Sequence, residues 1–336
     1  MITSTVPTPL KARVRQLLAE MYYRSGRFKA RLRGKVVILS YHRVLTRKEL
    51  SAHFVQPGMY VLAEVFARHM QFLTEHFHVL SITELFERWR SGRLDERTRY
   101  CAVTFDDGWL DNYLYAYPVL RQLGIPATIF LPTRFIGTHD WFWPDKLAYL
   151  LRCNQPSGMP PGARRTEWIT HVETVIERWK RMPSDEIESA LSDMTRTLGA
   201  SVPRERTVVD WDEVAEMARN GISFGSHSAT HAILTRVTRE ALRRELEESL
   251  RVLRERVTNP IPVFCYPNGA YTDEVVEHVK AAGYAGALTT DSGWETATPS
   301  DLFRIRRIGV HNDISRTTPL FAFHISALNR LPRTAG

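Results

Sequence analysis

The sequence of 336 residues contains few cysteines and no long hydrophobic run. Its three cysteines, Cys101, Cys153 and Cys265, are too few and too scattered to predict a disulfide framework or a thiolate zinc site. No apolar run is long enough to span a bilayer, and the N-terminus has no compact apolar segment followed by a small-residue cleavage site. These absences predict a cytoplasmic protein in a reducing environment.

Acidic residues are almost missing from the first 35 positions. Nine basic residues and one acid, Glu20, lie there, so this segment carries the whole formal net charge of +8. The rest of the chain is balanced in charge, which argues against a nucleic-acid-binding protein.

The same segment has apolar residues at helical spacing, namely Leu10, Val14, Leu17, Leu18, Met21 and Tyr22. A basic amphipathic helix of this kind predicts peripheral contact with a membrane surface, here the inner face of the cell membrane. The alternative is a helix that packs on the domain and turns its basic face to water.

Strand and helix patterns alternate along most of the chain. Short apolar runs such as residues 36–40, 127–131 and 222–226 are typical of buried strands, and helical patterns separate them. Alternation of this kind implies parallel pairing with right-handed crossovers. The number of strands, about seven, fits an α/β fold in the form of a distorted barrel better than a two-domain protein.

The alternation stops between about residues 134 and 207, and we expect a helical insertion there. The predicted organisation is therefore a basic amphipathic helix at residues 1–35, a barrel at 36–315 interrupted by the insertion, and a C-terminal tail at 316–336.

The stretch YCAVTFDDG, residues 100–108, ends an apolar run in two adjacent carboxylates, Asp106 and Asp107. Catalytic groups of α/β folds lie where such strands end. Two neighbouring carboxylates raise the pKa of one of them or require a cation. The alternative is a strand-end turn with two solvated aspartates.

Two histidines, His227 and His231, follow the strand predicted at residues 222–226. A spacing of four places them one turn apart on a helix face, where both imidazoles can reach one metal. Surface or capping roles are the common alternative for such a pair. With one carboxylate, two histidines form a hydrolytic metal site that keeps a position open for water. The second carboxylate is then free to act as general base.

Taken together, the TFDDG and HSATH motifs resemble the polysaccharide deacetylase family, the carbohydrate esterases related to nodulation chitooligosaccharide deacetylase. The run TFDDGWLDNYLYAYPVLRQLGIPATIFLP is similar to the first motif of that family nearly throughout. The resemblance covers roughly residues 36–310 without the insertion. It implies a distorted (β/α)7 barrel that hydrolyses acetyl groups on sugars with one divalent metal.

The resemblance also assigns roles by position. It implies that Asp106 is the general base and that Asp107, His227 and His231 bind the metal.

The sequence FCYPNG at residues 264–269 resembles the third motif of this family. In the family, the backbone N–H after the proline helps to bind the oxyanion, and here that N–H belongs to Asn268. Tyr266 and Pro267 precede it, and we expect them to contact the substrate. A preorganised donor of this kind lowers the barrier by several kcal/mol.

Two features depart from the family pattern. Many members carry an arginine in the third motif that orients the base, but the aligned place here is near Cys265. Arg307, on the last predicted strand, is our candidate for supplying that charge at the substrate site.

The second departure concerns the catalytic histidine, which usually lies in a C-terminal motif. His311 is a candidate there, but LSYHRV at residues 39–44 resembles the N-terminal strand of the biofilm poly-N-acetylglucosamine deacetylases, in which the motifs are permuted and this histidine comes early. We therefore choose His42 as general acid over His311, since imidazole titrates near neutral pH.

Tryptophans are the remaining candidates for substrate contact. Trp294, together with Trp141 or Trp143, could form a wall against a sugar face or the acetyl methyl group, with ordinary core packing as the alternative.

These residues predict a metal-dependent de-N-acetylase acting on an N-acetylated amino sugar of a glycan, an oligosaccharide or a lipid-linked glycan precursor. Zinc is the expected metal, and cobalt, nickel and iron(II) suit the same ligands. The alternatives are a deformylase, an O-acetyl esterase and a glycan-binding relative without turnover. The sequence does not indicate an oligomeric state.

Overall fold

A computed structural model describes residues 9–52, 54–154 and 165–326. Its strands are, in chain order, β1 (Val36–Tyr41), β2 (Arg43–Leu45), β3 (Tyr60–Leu62), β4 (His78–Val79), β5 (Tyr100–Phe105), β6 (Ala127–Leu131), β7 (Ile222–Ser226), β8 (Val263–Cys265), β9 (Gly286–Ser292) and β10 (Ile305–Gly309).

The helices of the described residues are α1 (Pro9–Arg24), α2 (Arg27–Arg31), α3 (Arg47–Ala52), α4 (Ala63–His76), α5 (Ile82–Arg90), α6 (Tyr117–Leu123), α7 (Trp143–Cys153), α8 (Arg165–Trp179), α9 (Ser184–Leu198), α10 (Trp211–Arg219), α11 (Arg239–Arg256), α12 (Asp273–Ala281), α13 (Asn312–Ser315) and α14 (Thr318–Ser326). None of these helices is long and apolar enough to cross a membrane.

Seven parallel strands close into a barrel, which confirms the predicted distorted (β/α)7 fold. The order around the barrel is β1, β5, β6, β7, β8, β9 and β10, and β10 pairs with β1 to close it. The short strand β4 pairs with the first residues of β5, and β6 pairs with its last residues. Strands β2 and β3 form a separate parallel pair.

Burial explains why these apolar runs form strands. Every residue of β1, β5 and β6 is buried, as expected for parallel strands covered on both faces. The helices that follow the strands present apolar faces to them; in α4, for example, Phe66, Met70 and Leu73 are buried.

Parallel pairing brings the carboxyl ends of the strands to one rim. The N–H of Asp106, just after β5, donates to the Tyr41 carbonyl at the end of β1 at 3.0 Å. The N–H of His227, just after β7, donates to the Leu131 carbonyl at the end of β6 at 2.9 Å. The sheet therefore carries both predicted motifs to the same end of the barrel.

Four helices, α7 to α10, lie between β6 and β7, and the first three of them fall within the segment where the sequence pattern loses its alternation. These three helices have a small core of their own that includes Leu150, Val172, Ile176 and Leu191. The boundaries predicted for the domains remain predictions.

Two further local details concern helical segments. The chain after Trp109 begins with a π-helical turn, Asn112–Ala116, before α6. Residues 318–326, inside the predicted C-terminal tail, form α14, whose Phe321 and Ile325 are completely buried.

Candidate active site

Asp107, His227 and His231 converge at the rim of the barrel. The Oδ1 atom of Asp107 lies 3.4 Å from His227 Nε2 and 3.2 Å from His231 Nε2. Asp107 and His227 are buried, and His231 is half-buried at the edge of a cleft. Burial alone would raise the pKa of Asp107, but the two histidines hold that pKa well below its usual range.

Hydrogen bonds orient the members of this triad. His227 Nδ1 lies 2.8 Å from the Cys265 carbonyl, so Nδ1 carries the proton and Nε2 is directed at Asp107. The Trp109 indole N–H donates to Oδ2 of Asp107 at 3.0 Å, which leaves Oδ1 facing the histidines. Such outer contacts fix the tautomer and orientation of metal ligands.

The histidines do not lie on a helix, and this part of the sequence argument is wrong. Residues 227–231 form a loop in which Ser228 and His231 have positive φ angles of 64° and 59°. Glu245 of α11 holds the loop, because its carboxylate accepts hydrogen bonds from the N–H groups of Ala229 and Thr230. A tight turn, rather than a helix, therefore brings the two histidines together, and their imidazole centres are 4.9 Å apart.

Strained backbone is concentrated at this site. In the described parts of the chain, four residues other than glycine have a positive φ, and all four belong to the three motifs: Asp107, Ser228, His231 and Asn268. Residues in such conformations persist where surrounding structure enforces them, and they cluster at functional sites.

Gly108 makes the sharp turn after the aspartates. Its φ is +64°, and a Cβ there would lie 2.6 Å from Leu131 Cδ2. Both the angle and the space therefore require glycine.

Asp106 forms a buried bidentate ion pair with Arg307. The Nη1–Oδ1 distance is 2.8 Å and the Nη2–Oδ2 distance is 2.7 Å. Burial alone would raise the pKa of Asp106, but Arg307 outweighs burial and lowers it to about 2. Asp106 is therefore ionised throughout the neutral range. Arg307 is itself buried and contacts the carboxylate rather than the cleft.

Cys265 lies near the position where many members of the resembled family carry an arginine. Its Sγ atom is 3.1 Å from Arg307 Nη2 and 3.5 Å from Asp106 Oδ1. The small thiol leaves room for a guanidinium that arrives from β10 instead of β8. The structure thus brings Arg307 to the place predicted for a base-orienting charge.

His42 lies beside Asp106 in the cleft, with Nε2 3.8 Å from Oδ2. Burial lowers the pKa of His42, although Asp107 and Asp106 oppose this shift. His311 is not among the residues that line the cleft; its Nδ1 lies 3.7 Å from Asp313. The geometry therefore favours His42 as the histidine available for proton transfer, and its role stays a prediction.

A sequence comparison agrees with this geometry. The family model for polysaccharide deacetylase matches residues 93–287, more than half of the chain. The chain belongs to the polysaccharide deacetylase family. The matched segment includes the Asp-Asp and His-His motifs but ends before Arg307 and begins after His42.

Individual deacetylases are distant relatives of this chain. YxkH of Bacillus subtilis (strain 168), which has a provisional name as a polysaccharide deacetylase, is 21% identical over 282 residues, covering 84% of this chain and 74% of YxkH.

Two solved structures share the fold. The deacetylase PplD of Streptococcus pyogenes, in complex with acetate, has a TM-score of 0.56 and 20% identity, covering 84% of this chain and 94% of PplD. IcaB from Ammonifex degensii has a TM-score of 0.55 and 18% identity, covering 86% of this chain and 97% of IcaB.

The cleft of this polysaccharide deacetylase lies between the barrel rim and the insertion. Its volume is about 910 Å3, including the part open to solvent. Tyr266 and Asn268 of the third motif line it, with Pro267 buried between them. Trp143 and Ile176 of the insertion line the opposite side, so the insertion shapes the cleft.

Two of the predicted tryptophans lie outside this cleft. The Trp294 indole N–H donates to the Ile325 carbonyl at 2.7 Å, so this ring packs against α14. The Trp141 N–H donates to the Glu205 carbonyl, and the ring borders a neighbouring pocket. Trp143, the alternative to Trp141, does line the cleft, and so does Trp109.

Sequence reasoning missed a set of contacts, here called the brace, between Asp111 and the strand β2. Asp111 accepts hydrogen bonds from Arg43 Nε at 2.9 Å and from the Val44 N–H at 2.7 Å. The Arg43 guanidinium in turn lies 4.3 Å from the centre of the Trp109 ring. This brace holds the segment that carries His42 against the Asp-Asp loop. The sequence signal that could have indicated this contact is the acidic residue Asp111, four positions after Asp107.

Asp145 is a second missed residue, at the start of α7. Its carboxyl lines the cleft. Burial and the nearby Asp107 raise its pKa to about 6, against the opposing effect of Arg43. Nothing in the sequence predicted that the insertion would supply a carboxyl to the site.

Proposed function

We propose that this polysaccharide deacetylase is a metal-dependent de-N-acetylase that removes acetyl from an N-acetylated amino sugar of a glycan, an oligosaccharide or a lipid-linked glycan precursor. The observation that carries the proposal is the convergence of Asp107, His227 and His231 beside an ionised Asp106.

The donor set fits one divalent ion. Ligand atoms about 2.1 Å from a tetrahedral zinc lie roughly 3.4 Å from one another, and the two distances from Asp107 Oδ1 to the histidine nitrogens are 3.4 and 3.2 Å. Two imidazoles and a carboxylate favour zinc, and cobalt, nickel and iron(II) suit the same atoms. When bound, such an ion acidifies a water molecule and polarises the acyl carbonyl.

In this proposal, Asp106 accepts the proton of the attacking water. Because its pKa is about 2, it releases that proton readily. His42 Nε2, 3.8 Å away, is an acceptor for it. We propose that the proton passes from water to Asp106, then to His42, and finally to the amine nitrogen as the carbon–nitrogen bond breaks and acetate leaves. This relay lets His42 be neutral at rest, in keeping with the lowered pKa.

In this proposal, the third motif binds the oxyanion. Asn268 lines the cleft with φ 54° and ψ 7° in a tight turn, Pro267–Gly269. Such a turn fixes the direction of the backbone N–H before the substrate arrives. A preorganised donor facing the developing negative charge is worth about 3 kcal/mol of barrier.

An acetyl group is favoured over formyl because the related deacetylase PplD was solved in complex with acetate. A deformylase and an O-acetyl esterase remain second candidates, since the same site would hydrolyse these acyl groups. A glycan-binding relative without turnover is disfavoured because the ion-pair and triad contacts are all formed.

The test combines metal content with product release. Wild type, His227→Ala and the control His278→Ala, a surface histidine on α12, are purified without chelator and measured by mass spectrometry. N-acetyl, N-formyl and O-acetyl oligosaccharides are then assayed for acetate and formate. We expect about one metal equivalent and acetate release for wild type and the control, and loss of both in His227→Ala. Metal binding with no release of any acyl group would contradict the enzyme proposal and favour glycan binding.

A further inference from the structure

Exposed apolar side chains are concentrated on α1. Among the described residues, seven large hydrophobic side chains are exposed, and five of them lie on this helix: Leu10, Val14, Leu17, Leu18 and Met21. The remaining two, Leu114 and Leu123, are isolated and less exposed. The five recur at helical spacing on one face, with exposures between 49% and 72%.

The opposite face of α1 is attached to the barrel domain. Ala19 is completely buried, and the Gln16 amide donates to the Thr317 hydroxyl at 3.1 Å. Tyr22, which the sequence grouped with the apolar face, packs edge-to-face on Phe323 of α14 at 5.4 Å. The helix is therefore held in place with its apolar face directed outward.

Positive charges flank the apolar face. At 100° per residue, Lys11 lies on one side of it, and Arg13 and Arg24 lie on the other. All three side chains are exposed. The one acid of the helix, Glu20, pairs with Arg24 at 2.7 Å. Further exposed cations follow immediately at Arg27, Lys29, Arg31 and Arg33.

We propose that this face of α1 is a docking site for an anionic lipid bilayer surface. Leucine and methionine side chains enter the boundary between headgroups and acyl chains, while lysine and arginine reach the lipid phosphates. A second copy of the chain is a poorer occupant, because a symmetric pairing would bring the same cations together. The proposal is independent of the catalytic chemistry, since no residue of α1 lines the cleft.

Vesicle flotation of the full-length chain tests the proposal. The vesicles are made of phosphatidylcholine alone or with one-third phosphatidylglycerol. We expect binding to the anionic vesicles and a reduction of about tenfold or more for Leu17→Asp/Leu18→Asp, which places charges in the apolar layer. The matched control is Leu123→Asp, an exposed leucine on α6 that should bind like wild type. Lys11→Glu/Arg13→Glu should also weaken binding, and more strongly at low salt.

Three results would overturn the proposal. One is failure of the wild-type chain to float with anionic vesicles. Another is equal binding by wild type and Leu17→Asp/Leu18→Asp. The third is a dimer in light scattering that this double variant converts to a monomer, which would assign the face to a second copy. Circular dichroism melting of each variant shows whether the fold is retained, and Lys11→Glu/Arg13→Glu provides an independent measure if the double aspartate variant unfolds.

Discussion

Arg307 holds both carboxylate oxygens of Asp106 across the interior of the barrel, at 2.8 and 2.7 Å, although 201 residues separate them in sequence. The guanidinium also donates to the Thr289 carbonyl at 2.9 Å and to the Thr104 hydroxyl at 3.1 Å. Arg307 is therefore fixed from three sides, and its charge determines the protonation state of the proposed base.

Replacing Arg307 by lysine should make the activity sensitive to acid. A lysine retains the charge but loses the bidentate contact, so burial would raise the pKa of Asp106 from its low value. We expect kcat/KM to fall about 100-fold and its acidic limb to move to higher pH. The measurement is the pH profile of acetate release.

The control for this variant is Arg306→Lys on the same strand. Arg306 is about half-exposed and pairs with Glu295 rather than with the site. Its profile should match that of wild type. An unshifted acidic limb in Arg307→Lys would mean that the guanidinium does not set the protonation of Asp106.

His42 and His311 can be distinguished by kinetics. His42→Ala removes the imidazole 3.8 Å from Asp106, and general acid–base catalysis of this kind contributes a factor of about 10² to 10⁴. We expect that loss in kcat with a small change in KM, and full metal content. His311→Ala should have nearly wild-type kcat. The reverse ranking would place the proton donor on the C-terminal motif.

The barrel was predictable because strand burial leaves a strong trace in sequence. The limits predicted for the strands at 127–131 and 222–226 match β6 and β7. The Asp-Asp and His-His motifs were found because they follow two such strands. Their convergence depends on parallel pairing, which alternation implies.

Other parts of the site depend on contacts that sequence order does not show. The loop of His227 and His231 is shaped by Glu245, which comes from a later helix. Asp145 faces the cleft because the insertion folds over the rim. Its distance in sequence from the Asp-Asp and His-His motifs follows no helix or strand periodicity, so no pattern links it to them. Tryptophan is a residue type that often stacks on sugars, but the indole N–H of Trp294 donates to a carbonyl of α14 instead.

Asp145 should destabilise the metal-free protein at neutral pH. Because its pKa is raised to about 6, the folded state binds a proton more tightly than the unfolded state between about pH 4 and 6. Stability therefore falls as pH rises through this window and stays lower above it. Asp145→Asn should be more stable than wild type by about 1–2 kcal/mol at pH 7, allowing for partial solvent screening, and equal to it near pH 4.

Urea unfolding of metal-free protein at several pH values measures this difference. A divalent ion at Asp107 would reduce the repulsion that contributes to it, so added zinc should narrow the gap between Asp145→Asn and wild type. A constant difference between the two proteins from pH 4 to 7 would show that the Asp145 carboxyl is not responsible.

Asn268 offers a test of whether its backbone or its side chain acts. If the backbone N–H binds the oxyanion, the side chain is needed only because asparagine tolerates the observed φ of 54°. Asn268→Gly should then retain kcat within about threefold, since glycine adopts this conformation freely. Asn268→Val should lose about 100-fold in kcat, because a β-branched residue resists a positive φ and would displace the N–H.

The control is Asn220→Val, at the exposed end of α10, where φ is −113° and no strain arises. A loss of kcat in Asn268→Gly as large as that in Asn268→Val would assign the function to the asparagine side chain.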